Sequence, residues 1–206
     1  MKAIRKTCIT GKLPPPVGTS EWETFSQKCI CVDKTRMIKE LVDRVTTVAL
    51  FTRPRRFGKT TALKMIRAFF EKRLDGKGKK VDTSYLFKDK KIWAEGAAYR
   101  KLQGKFPIIY LSFKDHKATN WEDAFEFMMR DVGAEISRHR ASVENGWDDG
   151  AKKEQMLRIV NRTASFVDLT ASLGYLAEAV HAHWKVKPII LIDEYDQPIS
   201  SASTFG

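Results

Sequence analysis

The stretch that decides the fold is Thr46-Thr47-Val48-Ala49-Leu50-Phe51-Thr52-Arg53-Pro54-Arg55-Arg56-Phe57-Gly58-Lys59-Thr60-Thr61. Its first six residues are β-branched or apolar and predict a strand over 46–51. From Lys59 the pattern changes. Ala62, Ile66 and Phe69, with Leu63 and Phe70 beside them, recur at helical spacing and predict a helix over 59–74, ended by Gly76 and Gly78. Between the two lies a turn closing on Gly58-Lys59-Thr60, the second half of the phosphate-loop pattern G-x-x-x-x-G-K-[ST]. The first glycine position is Arg53. Wrapping a phosphate depends mainly on the later amides, those of Arg56, Phe57, Gly58, Lys59 and Thr60, and Pro54, which has no N–H, sits outside that group. Gly58 permits close backbone approach, and the N-terminal end of the next helix adds partial positive charge. Lys59 is expected to reach the β- and γ-phosphates and the Thr60 hydroxyl to ligate Mg²⁺, with Thr61 beside it. Arg55 and Arg56 either touch phosphate or anchor the loop to nearby carboxylates. The GKT tripeptide is common by chance; its place at a strand-to-helix junction is what gives it weight.

Downstream, residues 106–113 are apolar nearly throughout and predict a second strand covered on both faces. A third is predicted over 188–192, Pro188-Ile189-Ile190-Leu191-Ile192, followed at once by Asp193-Glu194. Paired carboxylates at the end of a buried strand match the Walker B arrangement. Asp193 is expected to hold Mg²⁺ and Glu194 to orient and polarise the water attacking the γ-phosphate. The bland alternative is a solvated loop after a core strand. Helices are expected over 34–44, 121–140 (capped by Asn120 or Thr119), near 154–163 and over 169–184, with a polar loop at 142–152. Strands alternating with helices imply an α/β fold, a mainly parallel sheet in a three-layer αβα P-loop NTPase arrangement. The expected organisation is a lead-in and helix at 1–45 and an ATPase core at 46–206.

Three blocks in order resemble the AAA-ATPase-like family of P-loop proteins. Cys31-Val32-Asp33-Lys34-Thr35 is similar to its Y-V-D-K-T block, with Cys31 in place of the tyrosine. Thr52 through Thr60 matches its [ST]-R-P-R-R-F-G-K-[ST] block, in which arginine at position 53 is the family's own variant. Ile190-Leu191-Ile192-Asp193-Glu194-Tyr195-Asp196-Gln197-Pro198-Ile199 resembles L-I-D-E-Y-D-x-P-I. The resemblance covers residues 25–200 and implies ATP and Mg²⁺ as ligands. It also implies a nucleotide-side role for Asp33 and Lys34, whose bland alternative is capping of the following helix. Family members often continue into a nuclease-like domain of the restriction-endonuclease type. Few residues follow Glu194, too few for the strand that inserts between the two motif strands in such ATPases. The expectation is therefore an N-terminal fragment, with ATP binding retained and hydrolysis impaired.

Composition bounds the rest. Of 206 residues, 37 are Lys or Arg and 25 Asp or Glu, a net +12 that calls for an anionic partner. No apolar run approaches the roughly 20 residues of a membrane helix, and prolines 14, 15 and 16 stand where a secretory apolar core would lie. Three cysteines make a disulfide framework a poor reading and an intracellular, cytoplasmic setting the default. Cys8, Cys29 and Cys31 lack an evident fourth ligand for zinc. His181 and His183 point in nearly opposite directions on a helix, and His116 and His139 read as surface residues. Lys77, Lys79, Lys80, Lys88, Lys90 and Lys91, with Tyr85, Phe87 and Trp93, read either as a nucleic-acid contact or as a solvated connection whose aromatics turn inward, the reading favoured here. Two functions from different classes follow: a Mg²⁺-dependent ATPase driving a conformational switch, or a nucleotide-gated nucleic-acid-binding module without turnover. The oligomeric state is left open.

Overall fold

Helix caps and apolar spacing set most element boundaries in the computed structural model, which describes residues 20–28, 32–44, 47–52, 54, 57–114, 118 and 120–197. The chain divides into two compact units, Met1–Lys105 and Phe106–Gly206.

In the first unit, α1 (Trp22–Lys28), α2 (Arg36–Asp43) and α3 (Lys59–Phe70) are followed by a 3₁₀ turn (Ser84–Leu86) and two short helices, α4 (Lys91–Ala94) and α5 (Ala97–Arg100). The core is aromatic. Phe69 meets Phe87 edge-on at 5.1 Å between ring centroids, and Trp22 stacks on Phe87 at 5.7 Å. Met65, Ile66, Leu86 and Ile92 complete it, all buried. Helix α3 stops at Phe70, four residues short of the sequence expectation. Glu71 turns extended (ψ 121°), held by Arg67 and Arg73, and the chain bends so that Leu74 bridges Lys80 in antiparallel fashion. Phe87 turns inward, as the connection reading of the basic stretch has it, while Tyr85 stays outside. Residues 47–52 form no strand, and Val48 and Leu50 are 83% and 63% exposed. A strand exists only through ladder partners, and local β propensity here finds none among the described residues.

The second unit holds the sheet. β1 (Ile108–Ser112) and β2 (Ile189–Asp193) pair in parallel, with Ile108 opposite Ile189 and Ser112 opposite Asp193. The crossover between them runs through α6 (Trp121–Arg138), α7 (Arg140–Asn145), α8 (Gly150–Val160) and α9 (Phe166–Trp184). Asn120 starts α6 by accepting from the Asp123 amide at 2.7 Å. Met129, Val132 and Ile136 then form its buried stripe, and α6 packs along β1. The predicted loop at 142–152 is instead largely helical. Ser142 and Val143 are buried, α7 packs against α9, and Asp149 caps α8 through the Lys152 amide at 3.0 Å. Tertiary burial outweighs the turn-rich composition there. α9 begins at a capping box in which Ser165 and Asp168 exchange backbone and side-chain bonds, three residues before the apolar pattern starts.

β1 is shorter than its apolar run, β2 is shifted one residue past its own to include Asp193, and only β1 is covered on both faces. In β2 the inward residues are Leu191 and Asp193, while Ile190 and Ile192 are 41% and 37% exposed. The outer edge of β1 is closed by side chains at the C-terminal end of α6 and by His139, which follows it. Glu135 accepts from the Tyr110 amide at 2.8 Å, and Arg138 and His139 both bond the Ile108 carbonyl. His139 is therefore buried, contrary to the surface reading, because a strand edge needs a polar partner inside the protein. Among the described residues no helix is long and apolar enough to cross a membrane.

Candidate functional site

The phosphate-loop residues lie in the first unit. Gly58 takes a left-handed conformation (φ 79°, ψ 30°), and its carbonyl accepts the Ala62 amide at 2.9 Å, so it is the residue on which α3 starts. Among the described residues no side chain caps this end, and no acidic residue occupies the first turn. A helix start normally carries Ser, Thr, Asp or Asn to satisfy its leading amides. Uncapped leading amides together with the positive end of a helix dipole are an arrangement able to receive an anion. Lys59, Thr60 and Thr61 are half-buried in the first turn, while Phe57 is exposed and donates its amide to the Pro54 carbonyl at 3.4 Å. Arg53, Arg55 and Arg56 lie outside the described residues.

Asp33 and Lys34 belong to the same unit. One oxygen of Asp33 accepts from the Thr35 amide (2.9 Å) and hydroxyl (2.7 Å), and the other accepts from the Lys91 amide at 2.7 Å. Thr35, fully buried, also receives the Ile92 amide at 3.1 Å, so this pair fastens the start of α4. Burial would raise the Asp33 carboxyl. The bonds from Lys91 and Thr35, with the charge of Lys90, instead hold it below the usual carboxylate range. Lys34 is exposed. Asp33 thus has a structural task in a helix other than the one that follows it.

The carboxylate residues lie in the second unit. Asp193 ends β2 at 2% exposure, and its carbonyl accepts the Phe113 amide at 3.0 Å. Its Oδ2 is buried with no hydrogen-bond partner among the described residues. A buried carboxylate oxygen without a partner is costly and marks a place for a cation or a donor. The chain then turns at Glu194, which adopts a positive φ of 54° and accepts the Gln197 amide at 3.0 Å. Such a backbone is uncommon outside glycine, and Arg162 and Lys185 adopt it as well. Glu194 is half-buried and Tyr195 exposed.

Among the described residues no group of three or more His, Cys, Asp or Glu stands together as a metal cage. The donor set suits a hard cation that needs few protein oxygens. Mg²⁺ is held typically by one or two protein oxygens and completed by phosphate and water. Asp193 and the Thr60 hydroxyl are of the right chemistry for it. The cysteines 8, 29 and 31 lie outside the described residues.

Beside the end of β1 a cleft of about 400 Å³ is lined by Tyr110, Ser112, Arg130, Asp131, Glu135 and Arg138. Neither Ser112 nor this charged wall is legible in the sequence, because both depend on which strand residue faces which helix. No match was found among curated proteins or among solved structures. A family model described as a predicted AAA-ATPase matches residues 16–206, nearly the whole chain.

Proposed function

The chain belongs to the predicted AAA-ATPase family, and from that premise we propose that it binds Mg·ATP and hydrolyses it. The amides that open α3 and the Lys59 ammonium bind the β- and γ-phosphates. By the family's motifs, the Thr60 hydroxyl of the first unit and the Asp193 carboxylate of the second would each serve as a ligand to Mg²⁺, which when bound would neutralise the phosphate charge that develops during transfer. Glu194 accepts a proton from the attacking water and orients it. The released energy drives a conformational switch. ATP as the nucleotide follows from the family.

The observation that carries this reading is the start of α3: a left-handed glycine, no side-chain cap among the described residues and no acid in the first turn, followed directly by Lys59 and Thr60. Titration calorimetry tests it. Mg·ATP should release heat on mixing with the wild-type chain, and Lys59→Ala should weaken binding at least tenfold. An absence of heat with the wild-type protein ends the proposal. If ATP binds, Glu194→Gln separates turnover from binding: it should retain nucleotide and lose phosphate release.

A further inference from the structure

The net positive charge of this protein lies in one half of the chain. Residues 1–105 carry 26 Lys and Arg against 10 Asp and Glu, a net of +16, whereas residues 106–206 carry 11 against 15, a net of −4. An excess of that size is more than a single nucleotide site requires, and it is of the kind that suits a polyanion.

Within the first unit the described structure concentrates this charge after α3. Asp75 organises a tight turn: its Oδ1 accepts the Lys77 and Lys79 amides, both at 2.9 Å, and its own amide donates to the Lys79 carbonyl at 2.8 Å. Gly78 takes φ 77°, and the Val81 amide closes the base on the Arg73 carbonyl at 2.9 Å. Lys77, Lys79 and Lys80 are all exposed on this turn, and among the described residues none of them forms an ion pair. The neighbouring cations are spoken for: Arg73 bonds Glu71 and Glu23, and Lys90 bonds Asp89. Asp82 links the turn to the next segment. Its carboxylate accepts the Ser84 amide at 2.8 Å and the Ser84 hydroxyl at 3.0 Å, and these bonds, with the charges of Lys88 and Lys80, hold it below the usual carboxylate range. The adjacent Tyr85 is 54% exposed, although its neighbours Leu86 and Phe87 are buried.

We propose that Lys77, Lys79, Lys80 and Lys88, with the ring of Tyr85, form a binding surface for single-stranded nucleic acid. Lysines on a rigid turn neutralise backbone phosphates, and an exposed aromatic ring beside them offers a base a stacking face. A membrane surface fits less well, because the lysines sit on a short turn and not along an amphipathic helix with an apolar face to insert.

The test is fluorescence anisotropy of the full chain with a labelled oligothymidylate of about 30 nucleotides, at several salt concentrations. The wild-type protein should bind with an affinity that falls steeply with salt. Lys77→Gln/Lys79→Gln/Lys80→Gln should weaken binding tenfold or more and reduce the log–log salt slope by about 2, roughly 0.7 for each phosphate no longer neutralised. Tyr85→Ala should weaken it about fivefold without changing the slope, and Tyr85→Phe should restore it. Lys114→Gln/Lys187→Gln, exposed lysines of the other unit, should leave it unchanged. The triple-lysine variant should keep the wild-type heat with Mg·ATP, which separates loss of this surface from loss of the nucleotide site. Wild-type affinity in the triple variant overturns the proposal. So does binding to phosphatidylserine vesicles without binding to the oligonucleotide.

Discussion

Ser112 and Asp193 face each other on the last rung of the parallel ladder, and beyond them the Phe113 amide returns to the Asp193 carbonyl. The backbone of Asp193 is therefore fixed from two sides while its Oδ2 has no partner among the described residues. An ion or donor that arrives there meets a carboxylate already aimed. Without one, the carboxylate weakens the fold. Asp193→Asn should stabilise the nucleotide-free protein by about 1–2 kcal/mol, because it removes a buried carboxylate oxygen that has no partner among the described residues. The same change should abolish Mg²⁺-dependent ATP binding. Urea unfolding and calorimetry on one preparation check both, and a less stable variant would show that the carboxylate is satisfied.

Glu135 makes acid stability measurable. Burial would raise its carboxyl, but bonds from Arg138, His139 and the Tyr110 amide, with the Arg138 charge, bring it down to about 2 from an ordinary 4.5. The folded value lies below the unfolded one. The stabilisation is thus complete above about pH 4.5 and lost as pH falls towards 2, and amounts to about 3 kcal/mol. Glu135→Gln should be clearly less stable than wild type at neutral pH, and the gap should close in acid. A gap independent of pH would refute the assignment.

Two glycines should respond with opposite signs to the same change. A Cβ on Gly146 would collide with the carbonyl oxygens of Ser142 and Ala179, both backbone, at the packing of α7 on α9. Gly146→Ala should cost about 2–3 kcal/mol. Gly174 sits inside α9 with open space around it among the described residues, so Gly174→Ala should gain about 0.5–1 kcal/mol from helix propensity. Thermal melts of the two variants decide it.

Gly58 isolates backbone strain from contact. A Cβ there meets nothing within 4 Å among the described residues, yet φ is 79°. Gly58→Ala should cost about 1–2 kcal/mol from the left-handed conformation alone, and Gly58→Asn less. Mg·ATP affinity should fall in the same order. Equal melting temperatures for all three proteins would mean that the turn relaxes freely.

Removing the cap of α9 should cost about 1 kcal/mol in Ser165→Ala, since the Asp168 amide loses its acceptor. Denaturant midpoints check this, with Thr163→Ala, just outside the cap, as the reference.

The residues by themselves determined what is local and chemical. The glycine turn before Lys59-Thr60, the Asn120 start of α6, and two apolar runs, the second ending in Asp193, are each specified within a few positions, because capping, φ and strand alternation depend on near neighbours. The Ser165-x-x-Asp168 box is equally local, and it marks the start of α9 three residues ahead of the apolar pattern. Tertiary structure decided the rest. Residues 47–52 have the composition of a strand but make none, since a ladder needs a partner that composition does not name. The polar stretch at 140–145 is a helix because Ser142 and Val143 are buried there. His139 is inside because the Ile108 carbonyl, on a strand edge 31 residues earlier, has to be satisfied. Partners distant in sequence set these outcomes, and no local pattern encodes them.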